Sequence, residues 1–272
     1  SDFLFASNYS KRFSEADRFR YYQEFSALHE KPIENHLYLS KRISGKKLRI
    51  GYVSGDMCMH SVAFFFEPLL RCHDRNKFEV YVYYNRTKRD VYTDILMGLA
   101  DNWKVIADAN DLVVDALIRK DAIDILIDLS GHTAHNRMTL FARKPAPIQF
   151  TMTGCMQTTG LRNVGYRITD AIMDPVGQSE AFHSEQLIRM KSGPFVFQPP
   201  STSPAIIDAP CQRNGFVTFA SFNNSAKVTE DVVALWAKVL NAVPESRLLL
   251  IAEKDNWVAK RLEESGVAPH RM

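Results

Sequence analysis

Residues 123–160 read IDILIDLSGHTAHNRMTLFARKPAPIQFTMTGCMQTTG. The segment begins with an apolar run at residues 123–129, which only Asp124 and Asp128 interrupt. A run of this length, rich in β-branched residues, is typical of a strand that is buried on both faces. We therefore predict a buried strand at this position.

The rest of the segment predicts a strand–helix–strand unit. Small and polar residues at 130–133 allow the backbone to turn close to a ligand, and a short helix is predicted over residues 136–143. The Lys-Pro-Ala-Pro sequence that follows ends this helix, because proline lacks an N–H donor and disfavours helical geometry in its predecessor. A second strand at 148–152 leads to another polar turn at 158–160. In open α/β sheets, ligands bind at the loops that follow the carboxyl ends of strands.

Strands and helices alternate in the flanking sequence as well. Further strands are predicted at residues 48–54, 78–84, 103–106, 166–170 and 187–190, and helices at 61–71, 92–99 and 111–119. This alternation predicts an α/β fold with a parallel, doubly wound sheet. We expect the loops at 54–61, 130–134 and 154–160 to lie along one edge of it, because the carboxyl ends of parallel strands share an edge.

The N-terminal 46 residues differ in character and predict a helical linker. Ser14 and Asp17 have the spacing of a capping pair. Phe19, Tyr22 and Phe25 follow at the spacing of one helical stripe, as in a helix that packs on the next domain.

The remaining chain divides into two Rossmann-like halves. Residues 47–197 form the N-terminal half, and residues 198–214, rich in proline and small polar residues, read as a linker. Residues 215–272 begin a second half, with a strand at 216–220, a helix around 232–243 and a strand at 247–252. This last part is shorter than a Rossmann domain, and we expect it to be incomplete.

Composition favours a reduced, intracellular protein. Of 272 residues, 46% are hydrophobic, enough for a sizeable core, and the net charge of +3 arises from interspersed charges of both signs. The four cysteines, Cys58, Cys72, Cys155 and Cys211, lack any paired spacing. There is no secretory signal pattern, no membrane-spanning apolar run and no nucleic-acid-binding motif. We predict a cytoplasmic location, with no nucleic-acid partner and no membrane partner.

Several motifs occur in one order along the chain, and together they resemble the catalytic domain of glycosyltransferase family 41, the O-GlcNAc transferase and SPINDLY type. The motifs are DLSGHTAHNR (128–137), FARKPAPIQ (141–149), TTG (158–160), YRITD (166–170) and SFNNSAK (221–227), with DMCMHS (56–61) as a looser match. The resemblance covers residues 47–270. It implies a GT-B arrangement, with the C-terminal half truncated here.

The resemblance also implies an activity: an inverting, metal-independent glycosyltransferase that moves a sugar from a nucleotide diphosphate to a Ser or Thr hydroxyl of a protein. UDP-GlcNAc is the first choice of donor and GDP-fucose the second, with no cofactor and no metal. A tetratricopeptide (TPR) array is expected upstream. The alternative is a degenerate, non-catalytic module that binds a protein partner. Without the rest of the second half, this piece is expected to bind donor weakly or not at all and to be inactive.

Two residues are predicted to be catalytic. Lys227 lies in a polar loop between a strand and the start of a helix, where a cation suits a diphosphate. An unspecialised solvated lysine is the alternative that geometry alone favours. In the family's motif this lysine stabilises the leaving diphosphate, with Asn223 and Asn224 as donor contacts beside it. His60 follows the first strand and matches the family's general base or acceptor-orienting group; a plain helix-entry residue is the alternative.

Donor-binding residues are predicted in the two polar turns: Gly131, His132, Thr133, Thr158, Thr159 and Gly160. His132 either binds a hydroxyl or phosphate or braces the turn. Asp56 and Asp128 are interpreted as hydrogen-bond acceptors in a loop and at a strand end. The other histidines singled out, His73, His135, His183 and His270, are interpreted as surface residues.

The sequence departs from the family pattern at two places. Ser54-Gly55-Asp56-Met57 stands where the family has Ser-Pro-Asp-aromatic, and Met152-Thr153-Gly154-Cys155-Met156 where it has Trp-Leu/Ile-Gly-Tyr-Pro. The loss of prolines and aromatic rings beside the cleft is expected to alter the specificity for sugar or acceptor, or to abolish activity.

Overall fold

The computed structural model describes residues 1–30, 45–199, 203–251 and 256–272. The chain divides into two compact units, Ser1–Ser201 and Thr202–Met272. The predicted N-terminal linker is described only as far as residue 30, and its remainder lies outside the described residues apart from Gly45 and Lys46.

The first unit opens with two helices, α1 (Asp2–Ser7) and α2 (Glu15–His29). The predicted cap is confirmed, because Ser14 and Asp17 form a reciprocal capping box at the start of α2. The predicted stripe is also confirmed: Tyr22 is buried, and Phe25 packs against the core of the sheet domain. The segment therefore forms part of the first unit's core.

Among the described residues, seven strands and four α-helices follow in the first unit. They are β1 (Leu48–Ser54), α3 (Ser61–Cys72), β2 (Phe78–Tyr84), α4 (Val91–Leu99), β3 (Asn102–Val105), α5 (Asp111–Lys120), β4 (Ile125–Asp128), α6 (Met138–Phe141), β5 (Ile148–Thr151), β6 (Tyr166–Thr169) and β7 (Gln186–Arg189). The sheet order is β3-β2-β1-β4-β5-β6-β7, and every neighbouring pair is parallel. The loops after β1, β4 and β5 thus share one edge of the sheet, as predicted.

Most predicted elements agree with the structure to within two residues at each end, and the largest difference is in the crossover helix. The helix predicted over residues 136–143 is reduced to the single turn α6. Lys144 has a left-handed backbone conformation, with φ of 53°, which an α-helix does not accommodate. The chain turns there and enters β5.

Hydrophobic cores cover both faces of the sheet, as a doubly wound fold requires. On one face, α3 and α4 pack with Ile50, Tyr52 and Ile127. On the other face, α5 and α6 pack with Val53 and Leu126. The central strand β4 therefore contributes side chains to both cores, which explains its nearly continuous apolar sequence.

The second unit is a smaller α/β arrangement. It contains α7 (Pro210–Asn214), β8 (Thr218–Ser221), α8 (Glu230–Ala242), β9 (Arg247–Leu250) and α9 (Trp257–Glu264). The two strands are parallel, and α8 and α9 pack with them around Val233, Leu240, Leu248 and Leu262. The short helix α7 lies within the segment that the sequence predicts to be a linker.

We expect Leu126→Ala to lower the free energy of unfolding of the first unit by about 2–5 kcal/mol, because it leaves a cavity under a fully buried side chain. Leu112→Ala is the matched control, since Leu112 is 62% exposed on α5. Urea unfolding followed by circular dichroism measures both. Equal losses for the two variants would show that β4 is not at the centre of the core.

Candidate active site at the carboxyl edge of the sheet

The turn after β4 is fixed by the carboxylate of Asp128, the last residue of the strand. It accepts the backbone N–H groups of Ser130 at 3.0 Å and Gly131 at 2.8 Å, and the hydroxyl of Thr151 at 2.7 Å. Complete burial raises the pKa of this carboxyl to about 6, against the opposing effect of these hydrogen bonds. Asp128 is thus the strand-end acceptor that the sequence predicted.

His132 lies in this turn, and its imidazole is buried. Nε2 is 2.8 Å from the carbonyl oxygen of Thr159, and Nδ1 is 3.1 Å from the hydroxyl of Ser1. A carbonyl oxygen can only accept, so Nε2 carries the proton and Nδ1 accepts from Ser1. The rings of Tyr22 and Phe25 pack edge-on, with centroids 5.2 and 4.8 Å from the imidazole. Burial lowers the pKa of His132 to about 4, so the ring is neutral at pH 7.

These contacts support the interpretation of His132 as a brace between two loops. Both ring nitrogens already have partners within the protein. A donor that contacted this ring would have to displace Ser1 or the Thr159 carbonyl. The predicted role of His132 in donor binding stays a prediction.

The other residues of this turn let two loops approach each other. Gly131 has φ of 57°, and a Cβ atom there would lie 2.4 Å from the Cβ of Cys155. Only glycine fits such an approach without a shift of the backbone. Thr133 donates its hydroxyl to the carbonyl of Ser130 at 2.8 Å, which closes the turn.

The turn after β5 is held by Glu185, a residue that sequence reasoning missed. The hydroxyl of Thr158 donates to Glu185 Oε2 at 2.6 Å, and the N–H of Thr159 donates to Oε1 at 2.7 Å. The Thr159 hydroxyl also bonds to Oε1. Thr158, Thr159 and Glu185 are all buried. An acidic residue two positions before a predicted strand was the available signal, but it did not indicate a partner.

Gly160 ends this turn against the N-terminal helices. Its φ is 76°, and a Cβ atom there would lie 2.4 Å from the carbonyl oxygen of Tyr22 in α2. The structure therefore brings together the two predicted turns, 130–133 and 158–160, and places α2 against both.

His60 differs from His132 in its surroundings. It is the N-cap of α3, and its Nδ1 accepts the N–H of Val62 at 3.2 Å. The carboxylate of Asp56 lies 3.8 Å from the same nitrogen. The His60 side chain is 42% exposed, so of the two predicted histidines it is the one that a substrate can reach without rearrangement. His60 thus lies at the entry to a helix. Its catalytic role stays a prediction, and so does the alternative of a plain helix-entry residue.

Lys227 lies in the second unit, in a one-turn 3-10 helix between β8 and α8. It is exposed, two residues before the N-cap of α8, Thr229. Asn224 accepts the N–H of Ala226 at 3.0 Å, and Asn223 donates to Ser221 at 3.2 Å. A cavity of about 700 Å³ in this unit is lined by both asparagines and by the end of β9. The predicted donor roles of these three residues are compatible with this placement and stay predictions.

Two of the histidines interpreted as surface residues are partly buried. His183 is 7% exposed, and its Nδ1 is 2.9 Å from the carbonyl of Ser179. His73 is half-buried, with Nε2 2.8 Å from the Tyr52 hydroxyl, and burial lowers its pKa. Neither residue lies within a helix or strand, so the sequence shows no periodic pattern around it.

The residues in the two stretches that depart from the family pattern differ in their burial. Met57 is fully buried in the core beside α3 and α4. Gly154, which matches the family pattern, packs so closely on the residue that follows β4 that a Cβ atom would lie 2.0 Å from the Leu129 carbonyl oxygen. Met156 is 41% exposed, and Cys155 is buried, which raises the pKa of its thiol.

The described residues contain no group of three His, Cys, Asp or Glu side chains placed to hold a metal ion. None of the helices described is both long enough and apolar enough to span a bilayer.

Comparison with known proteins agrees with the family resemblance. Residues 7–200 match the family model described as glycosyl transferase family 41. The chain is 38% identical over 243 residues to a probable UDP-N-acetylglucosamine–peptide N-acetylglucosaminyltransferase SPINDLY of Solanum lycopersicum, covering 86% of this chain and 26% of that protein. It is 30% identical over 222 residues to the probable transferase SEC of Arabidopsis thaliana, covering 78% of this chain and 22% of that protein.

The similarity in fold covers more of the chain than the similarity in sequence. A mutant O-GlcNAc transferase of Thermobaculum terrenum superposes with a TM-score of 0.89 and 34% identity, over 97% of this chain and 51% of that one. The chain has an α/β fold of the GT-B type and belongs to glycosyl transferase family 41. It spans about a quarter of the length of the curated relatives that it matches.

We expect His132 to make stability depend on pH between 6.5 and 4. Its pKa is lowered to about 4 in the folded protein, so the unfolded chain binds a proton in this window that the folded protein does not. The contribution is complete above pH 6.5 and is lost as the pH falls towards 4. At about 1.4 kcal/mol per pKa unit, the wild type should lose about 3 kcal/mol relative to His132→Gln.

Urea unfolding of both proteins at pH 7 and pH 4.5 measures this difference. The raised pKa of Asp128 acts in the opposite direction, but it is common to both proteins and cancels in the comparison. A constant difference between wild type and variant would show that His132 is not held neutral in the fold.

Proposed function

We propose that this chain is part of an inverting, metal-independent glycosyltransferase that transfers GlcNAc from UDP-GlcNAc to a Ser or Thr hydroxyl of a protein. The observation that carries the proposal is the structural similarity to an O-GlcNAc transferase over 97% of the chain. The SPINDLY and SEC relatives are named as probable UDP-N-acetylglucosamine–peptide N-acetylglucosaminyltransferases, which supports the protein acceptor and the donor.

The proposed reaction exchanges one bond at the anomeric carbon. The acceptor oxygen attacks this carbon from the face opposite to the diphosphate, the new C–O bond forms, and the bond to the diphosphate oxygen breaks. The hydroxyl proton leaves to a base, and the diphosphate departs with the bonding electrons. Two needs follow: a proton acceptor near the hydroxyl and positive charge near the leaving group.

His60 is the proposed proton acceptor or acceptor-orienting group. Its imidazole is partly exposed at the carboxyl edge of β1, whereas His132 is buried with both nitrogens engaged. An imidazole that a substrate can reach suits the role of proton acceptor or acceptor-orienting group.

Lys227 is the proposed source of positive charge. The side chain is exposed at the end of a polar loop that leads into α8. A cation there can balance charge on the diphosphate without a metal ion, and Asn223 and Asn224 supply amide groups beside it.

The donor and the activity are tested together with the full-length protein. Mass spectrometry of an acceptor protein mixture, incubated with UDP-GlcNAc or GDP-fucose, should detect N-acetylhexosamine on Ser or Thr with the first donor only. A deoxyhexose product would replace the proposed donor by GDP-fucose, the second candidate from the sequence. No transfer with either sugar, combined with retained binding of a protein partner, would favour the non-catalytic module.

We expect Lys227→Ala in the full-length protein to lower kcat by about 10²–10³, because removing one transition-state donor costs about 3–4 kcal/mol. Lys238→Ala is the matched control, an exposed lysine on α8 of the same unit. Steady-state kinetics with UDP-GlcNAc measures both variants. Unchanged turnover in Lys227→Ala would remove this residue from the mechanism.

Three further expectations accompany the proposal. An upstream TPR array and a cytoplasmic location stay predictions from the sequence. The same is true of weak or absent donor binding by the 272-residue piece.

A further inference from the structure

Glu185 is a buried carboxylate that serves a single loop. It directly precedes β7 and is 5% exposed. Its hydrogen-bond donors are the Thr158 hydroxyl and the N–H and hydroxyl of Thr159. Among the described residues, no lysine, arginine or histidine forms an ion pair with it. Burying a carboxylate destabilises the fold unless the group is fully hydrogen-bonded. Glu185 therefore depends on the hydrogen-bond donors of this loop.

The two threonine hydroxyls are also held from the other side. Thr158 Oγ1 accepts the N–H groups of Gly160 at 3.0 Å and Ser184 at 3.1 Å. Thr159 Oγ1 accepts the N–H of Leu161 at 3.2 Å. Backbone N–H groups thus occupy both lone pairs of the Thr158 hydroxyl and one of the Thr159 hydroxyl, and each hydroxyl donates its proton to Glu185.

The same network reaches the other predicted turn. The carbonyl of Thr159 accepts the proton of His132 Nε2, and His132 belongs to the turn after β4. One carboxylate thus fixes the N–H and hydroxyl of Thr159, while the carbonyl of the same residue fixes His132. Both predicted donor-binding turns depend on this chain of contacts.

We propose that Glu185 is a positioning residue for the transfer reaction, which holds the turns 158–160 and 130–133 in their working geometry. The inference rests on the proposed function. It assigns Glu185 no contact with substrate; Glu185 acts through Thr158, Thr159 and His132.

Glu185→Gln tests this with a nearly unchanged shape. A glutamine amide can replace only one carboxylate oxygen, and its NH₂ group donates where the other oxygen accepted. Facing Thr158, the NH₂ group meets a hydroxyl whose lone pairs are already in use. Facing Thr159, it meets an N–H donor. Either orientation loses hydrogen bonds to one threonine.

The first measurement is hydrogen exchange by mass spectrometry on this chain, which requires no activity. Glu185→Gln should raise exchange in peptides that cover 158–161 and 130–133 and leave those from β2 and β3 unchanged. Glu180→Gln is the matched control, a partly exposed glutamate of the same segment that pairs with Arg189, and it should leave both turns unchanged. Unchanged exchange in the two turns of Glu185→Gln would overturn the proposal.

The second measurement is steady-state kinetics of the full-length protein. We expect Glu185→Gln to lower kcat/KM for the nucleotide sugar by about 10-fold or more, the equivalent of one lost hydrogen bond to a charged group. Glu185→Asp keeps the charge with a shorter reach and should retain more activity, which a loss through misfolding would not predict. Raised exchange with unchanged kcat/KM would reduce Glu185 to a structural residue. A wild type that transfers no sugar would refute the proposed function, while the exchange experiment would still decide whether Glu185 holds the two turns.

Discussion

The hydrogen bonds of the Asp128 carboxylate are the interaction on which the candidate site depends. A carboxylate at the end of the central strand gathers two backbone N–H groups from the next turn and one hydroxyl from β5. It thereby fixes the turn by which the chain leaves the sheet after β4, and it holds the end of β4 against the end of β5. Burial raises the pKa of this group to about 6, so the site is organised around a charge that the interior tolerates only because its hydrogen bonds are satisfied.

The stagger of the sheet explains why Glu185 reaches this edge. β6 begins opposite the last two residues of β5, since Phe150 pairs with Tyr166 and Thr151 with Arg167. β7 begins level with β6. The amino end of β7 therefore lies beside the loop that follows β5. In an unstaggered parallel sheet, a residue that precedes a strand would lie at the opposite edge.

This stagger also marks the limit of what the sequence could predict. Apolar runs and polar turns were enough to predict the strands, their parallel arrangement and the turns at 130–133 and 158–160. They also predicted that the loops after these strands lie along one edge of the sheet. Glu185 could not be found in this way, because the period of a strand gives its faces but not its offset from a neighbour. The histidines show the same limit. His60 and His132 both follow strands in polar loops, yet one is exposed and the other is covered by helices from a distant part of the sequence.

The N-terminal helices have a practical consequence for anyone who trims this protein. A piece that began at Lys47 would include every strand of the sheet and would look like a complete domain by its secondary structure. It would also lack the two rings that pack on His132, the carbonyl that faces Gly160 and the hydroxyl that bonds to the imidazole. Water would then reach a histidine that now sits in a dry setting, and the imidazole could take up a proton near neutral pH. The useful boundary of the sheet domain therefore lies before α1, in front of the segment that the sequence presented as a linker.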